Sequence, residues 1–105
     1  QREVFGKLVE LVNANLTDQQ FSVDHLCLEL GMNRTKLYSF IKSTTGMSLG
    51  NYIRKIRLDK AAELLRTTDM SISEVGYAVG IESPSYFTRT FKEQFCSSPS
   101  EFIKH

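Results

Sequence analysis

Hydrophobic residues along this chain recur with the period of an α-helix. Phe5, Leu8, Val9 and Val12 stand one, three or four residues apart and predict a first amphipathic helix. The stretch 15–18, which reads NLTD, loosens that helix into a turn. No stretch alternates apolar and polar residues in the way that a half-buried strand requires. We therefore predict an all-α protein.

Two helices joined by a glycine turn follow the first helix. Ser22 can cap a helix that ends at Gly31, because a serine hydroxyl accepts a hydrogen bond from a backbone N–H group in the first turn of a helix. Asn33 can cap the next helix in the same way, and that helix runs to Gly46, where glycine suits a left-handed stop. The stretch 22–46 thus predicts a unit of helix, glycine turn and helix.

The same unit recurs in the second half of the chain. Residues 71–74 read SISE, which is a capping box, and open a helix that ends at Gly80. Ser83 caps the next helix, with Pro84 at its first position. Residues 22–31 match residues 71–80 at a shift of 49, and the match continues past the turn at a shift of 50. One motif is therefore present twice, with one extra residue in the second turn.

The stretch between the two units, about Leu49 to Thr67, predicts a helix with one apolar stripe in each half. The two stripes are Leu49, Tyr52, Ile53 and Ile56, and then Leu58, Ala61, Ala62 and Leu65. At 100° per residue the stripes point in nearly opposite directions. Such a helix can connect two small cores, and the alternative is one helix buried on both sides inside a single bundle.

The repeat also aligns the outward faces of the second helix in each unit. In the second unit, Phe87, Phe91 and Phe95 form one buried stripe, and the opposite side is polar. The outward residues of the two units correspond at a shift of 50: Thr35, Tyr38, Ser39 and Lys42 match Ser85, Thr88, Arg89 and Lys92. Short polar side chains and an arginine on the second helix of a helix-turn-helix can read base edges in a DNA major groove, while lysines contact phosphates.

The net charge of +1 conceals an uneven distribution. Seven basic residues and one acidic residue lie from Arg34 to Lys60, which gives +6, while the remainder carries six basic and eleven acidic residues, which gives −5. A basic middle with acidic flanks is compatible with an electrostatic footprint for nucleic acid. The alternative is a solvated basic helix face.

The segment 52–103 carries the motifs of a known family. It contains, in order, RKIRLDKAAELL, SISE, AVG, SYFTRTFK and SPSEF, and it resembles the DNA-binding domain of the AraC/XylS family of bacterial transcription regulators. The resemblance extends over about residues 21–103. It implies about seven helices in two helix-turn-helix subdomains, 1–47 and 69–105, joined by a long linker helix, 48–68. It also implies that both recognition helices enter successive major-groove segments on one face of the DNA.

The resemblance assigns DNA contacts to individual positions. The base-reading positions fall on Arg34, Thr35, Tyr38, Ser39, Ser85, Thr88 and Arg89. The phosphate candidates are Lys36, Lys42, Arg54, Lys55 and Lys92. Arg89 is the strongest base-reading candidate, because a guanidinium can bond two acceptors of one guanine, and its alternative is a surface ion pair with Glu93. Tyr38 could instead pack against the neighbouring turn, and the hydroxyl residues could contact phosphate or water.

Three positions depart from the pattern of the family. Gly76 stands inside a helix where alanine is usual, at an expected cost of about 1 kcal/mol. Cys96 stands where the first copy has Gly46, at a site that favours a left-handed backbone. Ile81 replaces a usual aromatic residue. These changes bear on the stability of the second unit more than on its contact face.

Metal and enzyme chemistry find little support in the sequence. His25 and Cys27 are two residues apart and point to different faces of a helix, while Cys96 and His105 add no metal-ligand spacing. Neither a glycine-rich phosphate loop nor a nucleophile elbow is present. We therefore expect no cofactor, no metal and no enzymatic activity. Two distant cysteines fit the reducing cytoplasm, and no apolar run is long enough to predict a membrane contact by this domain.

Together these observations predict a sequence-specific, double-stranded-DNA-binding output domain of a bacterial transcription regulator. The expected partners are an operator or promoter DNA, RNA polymerase, and a sensory or receiver region in a longer chain, such as a hybrid two-component regulator. A dimeric full-length protein is compatible with this prediction. The alternative function is a helical protein-interaction module whose basic middle serves an acidic partner.

Overall fold

A computed structural model describes residues 2–18 and 21–103 of the protein. Over those residues it contains seven α-helices and no strand, which confirms the predicted fold class. The helices are α1 (Arg2–Ala14), α2 (Val23–Leu30), α3 (Arg34–Thr45), α4 (Leu49–Thr67), α5 (Ile72–Ala78), α6 (Pro84–Phe95) and α7 (Pro99–Ile103). They form two compact units, unit 1 (Gln1–Ile56) and unit 2 (Arg57–His105), and the boundary between the units falls within α4.

The predicted polar caps begin α2 and α3. The Ser22 hydroxyl accepts a hydrogen bond from the His25 backbone N–H, and His25 Nδ1 accepts one in return from the Ser22 backbone N–H at 3.3 Å. Asn33 Oδ1 accepts from the Lys36 backbone N–H at 2.8 Å. Gly31 and Gly46 end the two helices in the left-handed conformation, with φ of 67° and 75°. The first helix-turn-helix is therefore defined at all four ends by residues that the sequence indicates.

The core of unit 1 is built from the apolar faces of its helices. Its buried side chains are Leu8, Val12, Leu26, Leu37, Ile41, Leu49 and Ile56. Aromatic rings pack against this cluster, with the Phe5 ring centroid 5.1 Å from that of Phe40 and 5.8 Å from that of Tyr52. The first half of α4 thus belongs to the core of unit 1, as its first apolar stripe predicts.

Unit 2 begins its second copy of the motif with the predicted capping box. The Ser71 backbone N–H donates to Glu74 Oε1 at 2.8 Å, and the Glu74 backbone N–H donates to Ser71 Oγ at 3.1 Å. Helix α5 ends at Ala78, two residues before Gly80, which has a φ of 83°. Ser83 caps α6, and Pro84 occupies the first turn as predicted.

Phenylalanines dominate the core of unit 2. Its buried hydrophobic residues are Leu58, Ala61, Ala62, Leu65, Val75, Val79, Ile81, Phe87 and Phe91. The Phe91 ring centroid lies 4.6 Å from that of Phe95 and 5.3 Å from that of Phe102. Phe87 and Phe91 are fully buried and Phe95 is half-buried, so the stripe predicted for α6 is confirmed. The second apolar stripe of α4 is buried in this unit.

Two of the departures from the family pattern have a clear structural setting. A Cβ atom added at Gly76 would lie 3.1 Å from the Ile81 carbonyl oxygen and 3.2 Å from a carbon of the Phe87 ring. Glycine therefore permits a close approach at this point, which the expected helix-propensity cost does not include. Cys96 ends α6 with a φ of 58°, in the left-handed region that Gly46 occupies in unit 1.

Candidate nucleic-acid interface

Helix α3 presents one polar face and one buried face. Thr35, Tyr38 and Ser39 are all exposed, as is Lys42 one turn further on. The apolar side of the same helix is anchored by Leu37, which is completely buried. The four predicted side chains therefore lie on one face of a helix whose orientation within unit 1 is set by its core.

Arg34, the first residue of α3, is held by two neighbours. Its Nε donates to Asp24 Oδ1 of α2 at 3.0 Å, and its Nη1 donates to the Tyr38 hydroxyl at 3.3 Å. The hydrogen bond and the charge of Asp24 raise the pKa of Arg34, and the same bond and charge from Arg34 lower the pKa of Asp24. The guanidinium carries five N–H donors, and these two contacts use two of them. Tyr38 therefore takes part in a polar contact rather than in simple packing.

Helix α6 presents the matching face in unit 2. Ser85, Thr88, Arg89 and Lys92 are exposed, opposite the buried phenylalanine stripe. The Arg89 Cζ atom lies over the Tyr86 ring, 5.3 Å from its centroid. Thr90, on the buried side, satisfies its hydroxyl by donating to the Tyr86 carbonyl at 2.9 Å. Arg89 is thus oriented by an aromatic ring three residues before it, a contact that the sequence analysis did not anticipate.

The phosphate candidates differ in accessibility. Lys36, Lys42, Lys55 and Lys92 are exposed, whereas Arg54 is half-buried. Lys42 Nζ donates to the Gly46 carbonyl at 3.1 Å, so this lysine also caps the end of α3. A flexible ammonium that caps a helix on the surface can exchange that bond for a phosphate oxygen at little cost.

The basic middle of the sequence does not form a uniform surface. Arg57 is half-buried, its Nη1 donates to the Val79 carbonyl at 2.8 Å, and burial lowers its pKa. Lys60 Nζ lies 3.1 Å from Glu63 Oε2 in an ion pair. Two of the seven basic residues therefore have partners inside unit 2, and Arg57 satisfies the backbone after α5. Counting charges along the chain cannot show this, because Val79 is distant in sequence.

The side chains considered for metal binding have other roles or lie elsewhere. His25 completes the cap of α2 and stacks on Phe21, with ring centroids 5.9 Å apart. Within residues 2–18 and 21–103, no group of three or more His, Cys, Asp or Glu side chains comes together to hold a metal. His105 lies outside the described residues. None of the helices in that part of the chain is long and apolar enough to cross a membrane.

Comparison with known proteins places this arrangement in a family. A family model described as a helix-turn-helix domain matches residues 26–105. A transcriptional regulator with an AraC-type DNA-binding domain from Chromobacterium violaceum has a similar structure, with 28% identity, a TM-score of 0.87, and coverage of 98% of this chain and 91% of that one. The DNA-binding domain of AdpA, a global transcriptional factor in complex with a target DNA, is also similar, with 28% identity, a TM-score of 0.77, and coverage of 98% and 88%.

One sequence relative is a much longer protein than this chain. Histidine kinase P4 of Formosa agariphila is 37% identical over 100 residues, which are 95% of this chain and 7% of the kinase. This chain therefore spans a small fraction of that relative. The tandem units, their matched polar faces and these similarities show that the chain belongs to the AraC/XylS family of helix-turn-helix DNA-binding domains.

Proposed function

We propose that this chain is the sequence-specific DNA-binding domain of a longer bacterial transcription regulator, and that α3 and α6 are its recognition helices. The observation that carries the proposal is the repetition of one exposed polar face on two helices, at positions 50 residues apart. Each face is backed by a buried side that fixes the helix in its unit. Reading base edges requires side chains held on such rigid elements, because a loosely held side chain loses discrimination.

In unit 2 the proposed base contacts are Ser85, Thr88 and Arg89. The position of Arg89 over Tyr86 supports a bidentate contact with guanine, because a cation–π contact restrains the guanidinium without using a hydrogen-bond acceptor. Ser85 and Thr88 offer hydroxyls that can donate to or accept from any base edge. Lys92, one turn after Thr88, supports a phosphate contact at the end of the same face.

In unit 1 the proposed base contacts are Thr35, Tyr38 and Ser39, with Arg34 beside them. Lys36 and Lys42 flank this face and are proposed to contact phosphates, together with Arg54 and Lys55 of α4. Phosphate contacts fix the position of a helix on DNA but carry no sequence information, whereas the hydroxyls and arginines on the outward faces do.

The proposal for the whole protein extends beyond this domain. The name of the kinase relative and the small share of it that this chain spans support a parent protein with a sensory or receiver region. Contact with RNA polymerase, a cytoplasmic location and dimerisation of the full-length protein belong to the same proposal. They rest on the family alone.

A second candidate function is a protein-interaction module. The observation that favours it is a pair of exposed apolar side chains at matched positions of the two copies, Leu28 on α2 (79% exposed) and Tyr77 on α5 (65% exposed). A protein scaffold has no reason to rank DNA sequences, so sequence preference separates the two functions.

The test is selection of tight binders from a random duplex library with this 105-residue chain, at fixed near-physiological salt. We expect enrichment of two short motifs about ten base pairs apart, one for each recognition helix. If a folded, helical preparation enriches no motif, the proposed function is wrong and the interaction module becomes the better description.

A further inference from the structure

Three polar side chains connect α2 to the outward face of α3 in unit 1. Arg34 donates to the Asp24 carboxylate at 3.0 Å and to the Tyr38 hydroxyl at 3.3 Å. Asp24 lies on the first helix of the helix-turn-helix, and Arg34 and Tyr38 lie on the second, so the link crosses the turn. The side chains remain open to solvent, with Asp24 74% and Arg34 54% exposed.

The chemistry of these groups determines the direction of each hydrogen bond. Arginine has donors and no acceptor, so the Tyr38 hydroxyl must accept the bond from Arg34. The hydroxyl then keeps its own proton for another acceptor, and the adjacent positive charge polarises the O–H group toward donation. Tyr38 is 42% exposed, on the outward face of α3.

We propose that Asp24 is a positioning residue for DNA reading, which acts through Arg34 to hold Tyr38 as a hydrogen-bond donor that selects a keto base over an amino base. In the major groove, guanine and thymine present a carbonyl oxygen where cytosine and adenine present an amino group. A donor held at that point finds an acceptor on guanine or thymine and a competing donor on the other two bases. This inference rests on the proposed function and specifies the chemistry that unit 1 reads.

Unit 2 contains an internal control for this link. The repeat places Ser73 at the position of Asp24, Pro84 at that of Arg34 and Thr88 at that of Tyr38. Proline has no side-chain donor, so the equivalent link cannot form in unit 2. Substitution of Ser73, which is exposed on α5, changes the matched position without breaking such a link.

The experiment measures binding of the full 105-residue chain to its selected duplex and to single-base-pair variants of it. The base-pair variants exchange keto and amino bases at each position of the motif assigned to unit 1. The protein variants are Tyr38→Phe, Asp24→Ala, Asp24→Asn and Ser73→Ala, and the helicity and thermal unfolding of each variant are measured alongside. An unrelated duplex reports the affinity that does not depend on sequence.

The unchanged chain is expected to prefer a keto base at one position by about fivefold, the effect of one hydrogen bond. Tyr38→Phe removes this preference. Asp24→Ala reduces the same preference and raises affinity for every duplex, because a negative charge near the phosphates is lost. Asp24→Asn keeps an oxygen that can accept from Arg34, so it retains the preference while also raising affinity for every duplex. Ser73→Ala changes neither quantity.

Two results would overturn the inference and leave the proposed function intact. One is a full keto preference in Tyr38→Phe or in Asp24→Ala, on a motif that is still enriched. The other is an Asp24→Ala variant that binds every sequence more weakly by the same factor, as loss of a merely structural residue would produce. If the unchanged chain shows no sequence preference at all, the proposed function and this inference are both wrong.

Discussion

The guanidinium of Arg89 lies over the aromatic ring of Tyr86, with 5.3 Å between Cζ and the ring centroid. Both residues lie on the exposed side of α6, one turn apart. An arginine loses side-chain entropy when it binds, and an arginine already held over an aromatic ring has lost part of that entropy. Tyr86 thus restricts the conformations of Arg89 before any partner binds.

Replacing Arg89 with alanine should relax discrimination at one base pair. We expect a loss of about 1–3 kcal/mol on the preferred sequence, because a bidentate contact with guanine is removed. The measurement is competitive binding to every single-base variant of the selected duplex. Arg66→Ala is the matched control, since the Arg66 Cζ atom also lies over an aromatic ring, 5.8 Å from the Phe102 centroid, but Arg66 lies on α4. A uniform loss of affinity on all sequences would contradict the role assigned to Arg89.

Replacing Lys42 with alanine should weaken binding to all sequences alike. A phosphate contact releases condensed counterions, so the slope of log affinity against log salt should fall by about 0.9. The measurement is a salt titration on the selected duplex and on an unrelated one. Lys7→Ala, an exposed lysine change on α1, provides the control for loss of one positive charge. An unchanged slope in Lys42→Ala would remove this residue from the phosphate contacts.

Cys96→Gly should stabilise unit 2. The φ of 58° at Cys96 is left-handed, and a residue with a side chain pays about 1 kcal/mol or more for that conformation. The free energy of urea unfolding should therefore rise by about 1 kcal/mol. The mirror experiment is Gly46→Ala in unit 1, where φ is 75° and an equal loss is expected. Equal stability of Cys96→Gly and the unchanged chain would mean that Cys96 bears no backbone strain.

Gly76→Ala should destabilise unit 2, although alanine favours helices. The added Cβ atom meets the Ile81 backbone oxygen and the buried Phe87 ring at 3.1–3.2 Å, and overpacking of this kind costs about 1 kcal/mol or more. Phe87→Leu should relieve part of the crowding. A double-mutant cycle of the two changes, followed by urea unfolding, should therefore show a coupling energy above about 0.5 kcal/mol. Additive effects would show that the ring does not restrict position 76.

The capping box of α5 should make the free energy of unfolding depend on pH. Hydrogen bonds from the backbone N–H and the hydroxyl of Ser71 lower the pKa of Glu74. Stability from a carboxylate of lowered pKa is complete above its ordinary value of 4.5 and is lost as the pH falls through the folded-state pKa. Glu74→Gln should therefore lose less stability than the unchanged chain between neutral pH and about pH 3. Glu10→Gln, an exposed change on α1, is the control for replacing one glutamate with glutamine.

Local signals in the sequence account for most of the fold. Caps at Ser22, Asn33, Ser71 and Ser83 are interactions within one turn, so residue type and spacing suffice to place them. The phenylalanine stripe of α6 and the two stripes of α4 follow from helical period in the same way. The repeat also shows, from the sequence alone, which exposed positions of α3 and α6 correspond.

Contacts between distant residues could not be predicted in this way. The ion pair of Asp24 with Arg34 crosses a turn, and the bond from Arg57 to Val79 joins residues 22 positions apart. Each depends on where the backbone goes after the turn, which residue spacing does not show. The crowding at Gly76 could not be predicted from the sequence either, because Phe87 lies on the next helix and approaches Gly76 only in the folded unit.

Helix α7 corresponds to the first turns of α4, displaced by 50 residues. The Ser48 and Ser98 hydroxyls each cap the helix that follows. The Tyr52 ring packs against that of Phe5 in unit 1, and the Phe102 ring packs against that of Phe91 in unit 2. Helix α7 is therefore a short copy of the start of α4. For protein design, a helix continued past Phe102 with the pattern of residues 54–67 would be a second copy of α4. Further repeats of the motif could then be added after it, one at a time.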